Sequence, residues 1–279
     1  MVNILLDNNY SQFTKNTKFN HKMENETKTS LERPLGKGKR RIDIGIHPLD
    51  NGIIIANCAG GLEDLDGRND RYKKIGKFVQ EKGIGTFVRI GNDLSSNPPW
   101  PTCVLDDYRY LVDYCKQNGE HLSGERNPKI FLMGYSAGAG IATIVGEEFS
   151  AEKMLLIAPG IDCGRKKIQK GLEKYTREVY IVIGENDHTV GTQTGRTFYK
   201  WAIKASKREL REIPQCTHDF EGETNSKILS KAPLFAFTGD ETFPSPEGGI
   251  TMYDQGKGPF VVRHFDIDSI TGEFKEHKK

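Results

Sequence analysis

The stretch FLMGYSAGAG, residues 131–140, places a serine between two glycines where an apolar run ends and a run of small residues begins. Its segment GYSAG matches the G-x-S-x-G motif and stands after a buried strand and before a helix, as that motif requires. Such a sharp turn strains the serine backbone, and glycines two residues away on either side avoid a collision. The following helix points free N–H groups at the serine oxygen. The stretch therefore predicts a reactive serine, Ser136.

The rest of the chain alternates strands with helices. Continuous apolar runs predict buried strands, whereas apolar positions that recur every three or four residues predict helices. The predicted strands are RIDIGIH (41–47), IIIANC (53–58), GIGTFVRI (83–90), PKIFLMG (128–134), KMLLIAPG (153–160), EVYIVIGEND (178–187) and RELREIP (208–214). The predicted helices carry Tyr72, Ile75 and Val79; Tyr108, Leu111, Val112 and Cys115; the small residues from Ala137 to Ala142; and Phe198, Trp201, Ala202 and Ala205. This alternation predicts an α/β fold with a mainly parallel sheet covered on both faces.

Three regions are expected along the 279 residues. Residues 1–39 are polar and are interpreted as an N-terminal arm with little core of its own. Residues 40–239 hold the α/β core, whose first two strands, 41–47 and 53–58, are expected to form an antiparallel hairpin around PLDNG. Residues 240–279 break the alternation and are interpreted as a small β-rich extension. This extension is expected either to cover the site or to join subunits of a homo-oligomer.

The totals exclude several classes of protein. A formal net charge of +2 predicts no strong attraction to nucleic acid or to an anionic membrane. No apolar run approaches the roughly 20 residues that span a bilayer, and no leader precedes the first apolar patch. The five cysteines are scattered and odd in number, which indicates reduced thiols and a cytoplasmic protein.

A serine hydroxyl needs a base, and the base needs a group that orients it. His218 in PQCTHDF follows the last core strand and is expected to precede a short helical segment, and Asp187 in IGENDHTV follows the strand before it. The carboxyl ends of parallel strands share one edge of the sheet, so both are expected to lie near Ser136. Asp162 in IAPGIDCG is a rival for the acid, whereas His188 is interpreted as an ordinary loop residue.

From the motif and the order Ser, Asp, His, residues 40–232 resemble the α/β-hydrolase superfamily. The resemblance implies Ser136 as the nucleophile, His218 as the general base and acid, and Asp187 as the carboxylate that orients the imidazole. The family often has a His-Gly pair before its oxyanion loop, whereas this chain has NCAGGLED, residues 57–64. The remaining predicted contacts are Gly60 or Gly61 together with Ala137 as oxyanion donors, and Tyr135 and Trp100 as substrate contacts.

The resemblance implies a serine hydrolase that cleaves a small-molecule carboxylic ester or thioester. The short segment between IAPG and EVYIVIG predicts no large cap domain. Acyl transfer by the same residues and a non-catalytic ligand-binding module are the alternatives. Neither a dinucleotide motif, which needs a glycine at Thr143, nor a P-loop is present. Alternation on a strand explains Asp266 and Asp268 better than metal binding does, so no metal or cofactor is expected.

Overall fold

The computed structural model describes residues 26–92 and 102–239, and the backbone alone of three strands beyond them. The strands are β1 (Thr27–Leu35), β2 (Gly38–His47), β3 (Ile53–Cys58), β4 (Thr86–Ile90), β5 (Lys129–Tyr135), β6 (Lys153–Ile157), β7 (Glu178–Gly184), β8 (Lys207–Ile213), β9 (Gly249–Asp254), β10 (Val261–Ile267) and β11 (Phe274–Glu276). The helices are α1 (Arg71–Glu81), α2 (Thr102–Gln117), α3 (Gly119–Ser123), α4 (Ala137–Glu148), α5 (Arg165–Lys174), α6 (Thr192–Trp201) and α7 (Glu223–Thr238).

The described strands form one sheet in the order β1-β2-β4-β3-β5-β6-β7-β8-β9-β10-β11. Neighbouring strands from β4 to β8 pair in parallel, and the strands outside this block pair antiparallel. Parallel strands are joined by helices that cross over the sheet and cover it. The predicted α/β fold with a mainly parallel core is confirmed.

The expected hairpin between β2 and β3 is wrong. β4 lies between them and pairs antiparallel with β2 and parallel with β3. β3 is a continuous apolar run with parallel neighbours on both sides, as suits the centre of a sheet. The residues expected to form a hairpin turn make other contacts: the Leu49 N–H donates to Thr86 Oγ1 at 2.8 Å, and the Gly52 carbonyl accepts from Lys129.

The sheet also begins earlier in the chain than predicted. β1 pairs along its whole length with β2, from Thr27 opposite Ile46 to Leu35 opposite Gly38. Leu31 of β1 reaches the core. The expected boundary between residues 39 and 40 therefore falls inside β2, and the part of the predicted arm from Thr27 onward is an edge strand.

Side chains of the sheet alternate between two cores. In β3, Ile54 and Ala56 pack with α2 and α4, whereas Ile55 packs with α1 on the opposite face. Helices α2 to α6 cover the first face, and α1 and α7 cover the second. No helix within residues 26–92 and 102–239 is long and apolar enough to cross a membrane.

Two helices differ from their sequence-based expectation. α6 ends at Trp201, so Ala202 and Ala205 lie beyond its C-terminus, although Ala202 is buried. α7 is 16 residues long where only a short helical segment was expected after His218. Between β6 and β7 the chain holds α5 alone, and no cap domain is inserted there.

The C-terminal segments in the described backbone are β9, β10 and β11. β9 pairs antiparallel with β8, and the two later strands add to it in turn. The extension therefore continues the sheet at the edge beyond β8. Its expected roles, covering the site or joining subunits, stay predictions. Of the two aspartates weighed against metal binding, Asp268 lies outside the described residues, and the side chain of Asp266 in β10 is not described.

Candidate active site

Ser136 stands at the junction of β5 and α4 with φ 53° and ψ −121°, a conformation that residues with a side chain rarely adopt. Close backbone contacts explain both neighbouring glycines. A Cβ on Gly134 would lie 2.4 Å from the carbonyl oxygen of Gly138. A Cβ on Gly138 would lie 2.3 Å from the carbonyl oxygens of Cys58 and Ala59. The turn therefore has no room for larger residues at these positions.

The three residues expected at the shared edge lie together. The Nε2 atom of His218 lies 3.1 Å from Ser136 Oγ, and its Nδ1 atom lies 2.8 Å from Asp187 Oδ2. The loops after β5, β7 and β8 carry the serine, the aspartate and the histidine in that order. Side-chain exposure is 12% for His218 and 0% for Asp187. One imidazole thus bridges a hydroxyl and a buried carboxylate.

The carboxylate of Asp187 is held in its charged form. Burial alone would raise its pKa, since burial disfavours a charge. The hydrogen bond to His218 and two backbone N–H groups, from Val190 and Thr189, outweigh the burial and lower the pKa of Asp187. Both N–H groups donate to Oδ1 at 3.0 Å. Since Oδ1 is engaged in this way, Oδ2 is presented to the imidazole.

The expected oxyanion donors differ in their availability. The Gly60 N–H donates to Tyr72 Oη at 2.9 Å and to Glu63 Oε2 at 3.2 Å, so it is already engaged. The N–H groups of Gly61 and Ala137 have no acceptor in the part of the chain that the structure describes, and both residues line the space beside Ser136. Of the two predicted glycines, Gly61 is the one whose amide is free to bind an oxyanion.

A pocket of about 900 Å³ opens beside Ser136. It is lined by Gly60, Gly61, Leu62, Glu63, Asp64, Gly67, Arg68, Asn69, Tyr135, Ser136, Ala137, Asp162, Thr189, Val190, His218 and Asp219. Leu62 lines the pocket and is 71% exposed, and Ile161, which precedes the lining residue Asp162 in the chain, is 41% exposed. The pocket thus combines an apolar rim with a polar wall.

The charges of the wall are mostly acidic. Arg68 lines the pocket, but its guanidinium is paired with Asp219 at 2.9 Å and with Glu221 at 3.7 Å. Asp64 and Asp162 have no cation within ion-pair distance among the described residues. The pocket therefore presents uncompensated negative charge, although the whole chain is slightly basic.

The other predicted residues have separate outcomes. Asp162 lines the pocket but makes no hydrogen bond to His218 within the described structure, whereas Asp187 does. Tyr135 also lines the pocket, and its hydroxyl donates to the His218 carbonyl oxygen. His188 is an exposed loop residue. Trp100 lies outside the described residues.

The charged residues that pack behind the site were not predicted from the sequence. Arg71 ion-pairs with Glu63 and with Asp219, and its guanidinium lies over the Tyr135 ring. Nothing in the local sequence marks Arg71, which begins an ordinary amphipathic helix. Its partner Asp219 is 148 residues away in the chain. The sequence offered one signal for Asp219, namely that it directly follows the candidate base His218.

Comparison with known proteins identifies the fold. No protein-family model matches the sequence, and no curated protein matches it significantly. Solved structures do match. The dienelactone hydrolase of Anabaena variabilis is similar with a TM-score of 0.59 and 15% identity, and the match covers 76% of this chain and 98% of the other.

Two further structures give the same result. The Pyrococcus furiosus esterase Pf2001 is similar with a TM-score of 0.58 and 13% identity, over 76% of this chain and 93% of the other. Est1E from Butyrivibrio proteoclasticus is similar with a TM-score of 0.56 and 15% identity, over 74% and 96%. At these identities the likeness establishes the architecture. The chain has the α/β-hydrolase fold, as its sequence predicted.

Proposed function

We propose that the chain is a serine hydrolase that cleaves carboxylic esters through an acyl-enzyme intermediate. The observation that carries the proposal is the position of His218, with one ring nitrogen near the Ser136 hydroxyl and the other near the Asp187 carboxylate. Esterases and a dienelactone hydrolase among the structural neighbours are consistent with it at the level of the fold.

In the proposed reaction, Ser136 Oγ attacks the ester carbonyl carbon while its proton moves to His218 Nε2. The N–H groups of Gly61 and Ala137 bind the oxyanion that forms, and Asp187 stabilises the imidazolium. When the tetrahedral intermediate collapses, His218 gives the proton to the leaving alcohol. Water, deprotonated by the same imidazole, then cleaves the acyl-enzyme and restores the serine.

The wall of the pocket favours uncharged or cationic small-molecule esters. Asp64 and Asp162 repel a carboxylate or phosphate, although exposure and salt weaken this effect. A thioester on a phosphorylated carrier is therefore a poorer fit than a neutral ester. The exposed side chains of Leu62 and Ile161 offer an apolar surface to an acyl or aryl group.

The first experiment combines labelling with a fluorophosphonate probe and hydrolysis of neutral 4-nitrophenyl esters. Wild type should be labelled and active, and Ser136→Ala and His218→Ala should lose both properties. Loss of a nucleophile in such a triad reduces turnover by roughly 10⁶-fold. His188→Ala is a matched control, because this exposed histidine is adjacent to Asp187 and should be dispensable.

Three outcomes would change the proposal. Activity that survives in Ser136→Ala means that another residue is the nucleophile. A folded wild-type protein that is neither labelled nor active supports a ligand-binding module instead. New esters formed when an alcohol is added, in place of free acid, indicate acyl transfer.

The charge of the pocket wall gives a further prediction. A 4-nitrophenyl ester with a terminal carboxylate should be hydrolysed more slowly than its neutral analogue, and added salt should reduce this difference in rate.

A further inference from the structure

Arg71 joins three segments that the proposed reaction needs. It is the first residue of α1, and its side chain is only 7% exposed. Its Nε atom lies 3.4 Å from Glu63 Oε1, and its Nη2 atom lies 3.2 Å from Asp219 Oδ1. Its Cζ atom lies 4.6 Å from the centre of the Tyr135 ring. One guanidinium therefore contacts the loop after β3, the loop after β8 and the end of β5.

On one side, Arg71 supports the candidate oxyanion loop through Glu63. The Glu63 carboxylate accepts the Gly60 N–H at 3.2 Å and the Tyr72 hydroxyl. The Glu63 backbone N–H in turn donates to the Gly60 carbonyl oxygen at 3.3 Å. These bonds fix the peptide group between Gly60 and Gly61, which carries the Gly61 N–H. The direction of that amide therefore depends on where the Glu63 carboxylate is held.

On the other side, Arg71 supports the candidate base from two points. Asp219 directly follows His218, and Tyr135 donates its hydroxyl to the His218 carbonyl oxygen. Burial raises the pKa of Tyr135, so this hydroxyl keeps its proton and remains a donor. Arg68 contacts the same two loops, since its backbone N–H donates to Glu63 Oε1 at 3.3 Å and its guanidinium pairs with Asp219. Its side chain is 56% exposed, however, and such an exposed pair contributes little. The buried guanidinium is the stronger constraint.

We propose that Arg71 is a positioning residue that couples the oxyanion loop to the histidine loop, an inference that rests on the proposed hydrolase activity. Its charge compensates two carboxylates, Glu63 and Asp219, which have no direct hydrogen bond to each other within the described structure. Its planar, forked donor group can hold both at once. Oxyanion donors and a base act only in a narrow range of positions, so loosening them lowers turnover more than it lowers substrate binding.

The test measures kcat and KM for 4-nitrophenyl butyrate. Arg71→Gln should lower kcat by about 10- to 100-fold with KM changed by less than about threefold, since the lost contacts act on the reacting geometry. Arg71→Lys, which keeps the charge without the fork, should recover part of the loss. Arg196→Gln is the control: it removes a two-point ion pair with Glu212, in α6 and β8, and should leave kcat unchanged.

Two isosteric variants keep the test valid where Arg71→Gln fails to fold. Glu63→Gln and Asp219→Asn each release one partner of Arg71, and each should lower kcat. The double variant should lose less than the product of the two single losses, because either change alone already breaks the bridge. A merely structural role predicts instead that losses in kcat follow losses in thermal stability and multiply independently.

The outcomes separate this inference from the proposed function. An active wild type whose Arg71→Gln variant keeps its kcat within twofold overturns the role of Arg71 and leaves the hydrolase intact. Multiplicative losses in the Glu63→Gln and Asp219→Asn pair overturn it as well. A folded wild type that neither hydrolyses the ester nor reacts with a fluorophosphonate contradicts the proposed function itself.

Discussion

Two polar clusters of this molecule are built from similar hydrogen bonds but differ in what they present to solvent. In the first, Asp187, His218 and Ser136 form a chain that stops at a hydroxyl facing the pocket. In the second, which we name the Arg89 cluster, a fully buried guanidinium is surrounded by Glu26, Asp66 and His47. Its charges face each other, and none of its residues lines the pocket beside Ser136.

The difference teaches what distinguishes a reactive site from a structural one. Arg89 also donates to the Leu65 carbonyl oxygen at 3.1 Å. Leu65 belongs to the loop after β3, which Arg71 contacts through Glu63. Breaking a closed cluster costs stability, because removing one partner leaves the other buried charges uncompensated. An open chain contributes chemistry, because its last group can meet a substrate. Variants in the two clusters should therefore affect different measurements.

Among the variants that compare the two clusters, Asp187→Asn is expected to have the largest effect. The amide can keep the Thr189 and Val190 bonds through Oδ1, but its NH₂ group would face His218 Nδ1. The imidazole then places its proton on Nε2 and cannot accept one from Ser136, so kcat should fall by about 10⁴-fold with little change in stability.

The check is steady-state kinetics together with thermal unfolding. Asp162→Asn supplies the control, since this rival carboxylate lines the same pocket without a hydrogen bond to His218 in the described structure. If Asp162→Asn reduces kcat more than Asp187→Asn does, then Asp162 and not Asp187 is the carboxylate that orients His218.

A smaller effect of the opposite kind is expected for Arg89→Met. Removing the buried guanidinium leaves Glu26 and Asp66 with only the half-exposed Lys28 and Lys73 as counter-charges, and breaking such a buried pair costs about 3–5 kcal/mol of unfolding free energy. Urea unfolding measures this loss. Arg109→Met is the matched control, since Arg109 and Glu148 form a half-exposed pair whose removal should cost no more than about 1 kcal/mol. Equal losses of unfolding free energy in both variants would mean that the buried Arg89 cluster matters no more for stability than a half-exposed ion pair.

Local patterns in the sequence were sufficient for the core of the fold. Continuous apolar runs predicted β3 and β5 to β7, and the glycines around Ser136 predicted the turn that β5 and α4 form. The order of strands was not readable, because PLDNG has the composition of a hairpin turn although its residues bond to β4 and β5. β1 was missed because its polar, edge-strand sequence resembles that of an unfolded arm.

The candidate site shows the same division. Ser136, Asp187 and His218 follow predicted strands, so the topology alone brings them to one edge. The commitment of the Gly60 N–H to Tyr72 and Glu63 depends on side chains that meet only after folding. Long-range ion pairs carry no periodicity in the sequence, which is why the Arg89 cluster left no signal.

The smallest effect concerns His47 and its dependence on pH. Burial, and then the nearby Arg89 charge, lower the pKa of His47 to about 4. Burial disfavours the charged form, and a Cβ on Gly76 would lie only 2.4 Å from the imidazole Nδ1, so the ring is closely enclosed. In the unfolded chain an ordinary histidine has a pKa of about 6.5. The unfolded state therefore binds more protons than the folded state between these two values.

Stability should consequently fall as the pH drops from about 6.5 to about 4, and this loss should be constant below the lower value. A difference of about 2.5 pKa units corresponds to at most about 3.4 kcal/mol of unfolding free energy. Urea unfolding at pH 7 and pH 5 should show a smaller decrease for His47→Gln than for wild type, since glutamine does not titrate. The lowered pKa values of Glu26 and Asp66 act mainly below this window. Equal decreases in both proteins would mean that His47 takes up its proton in the folded state, and that the Arg89 cluster is open to water after all.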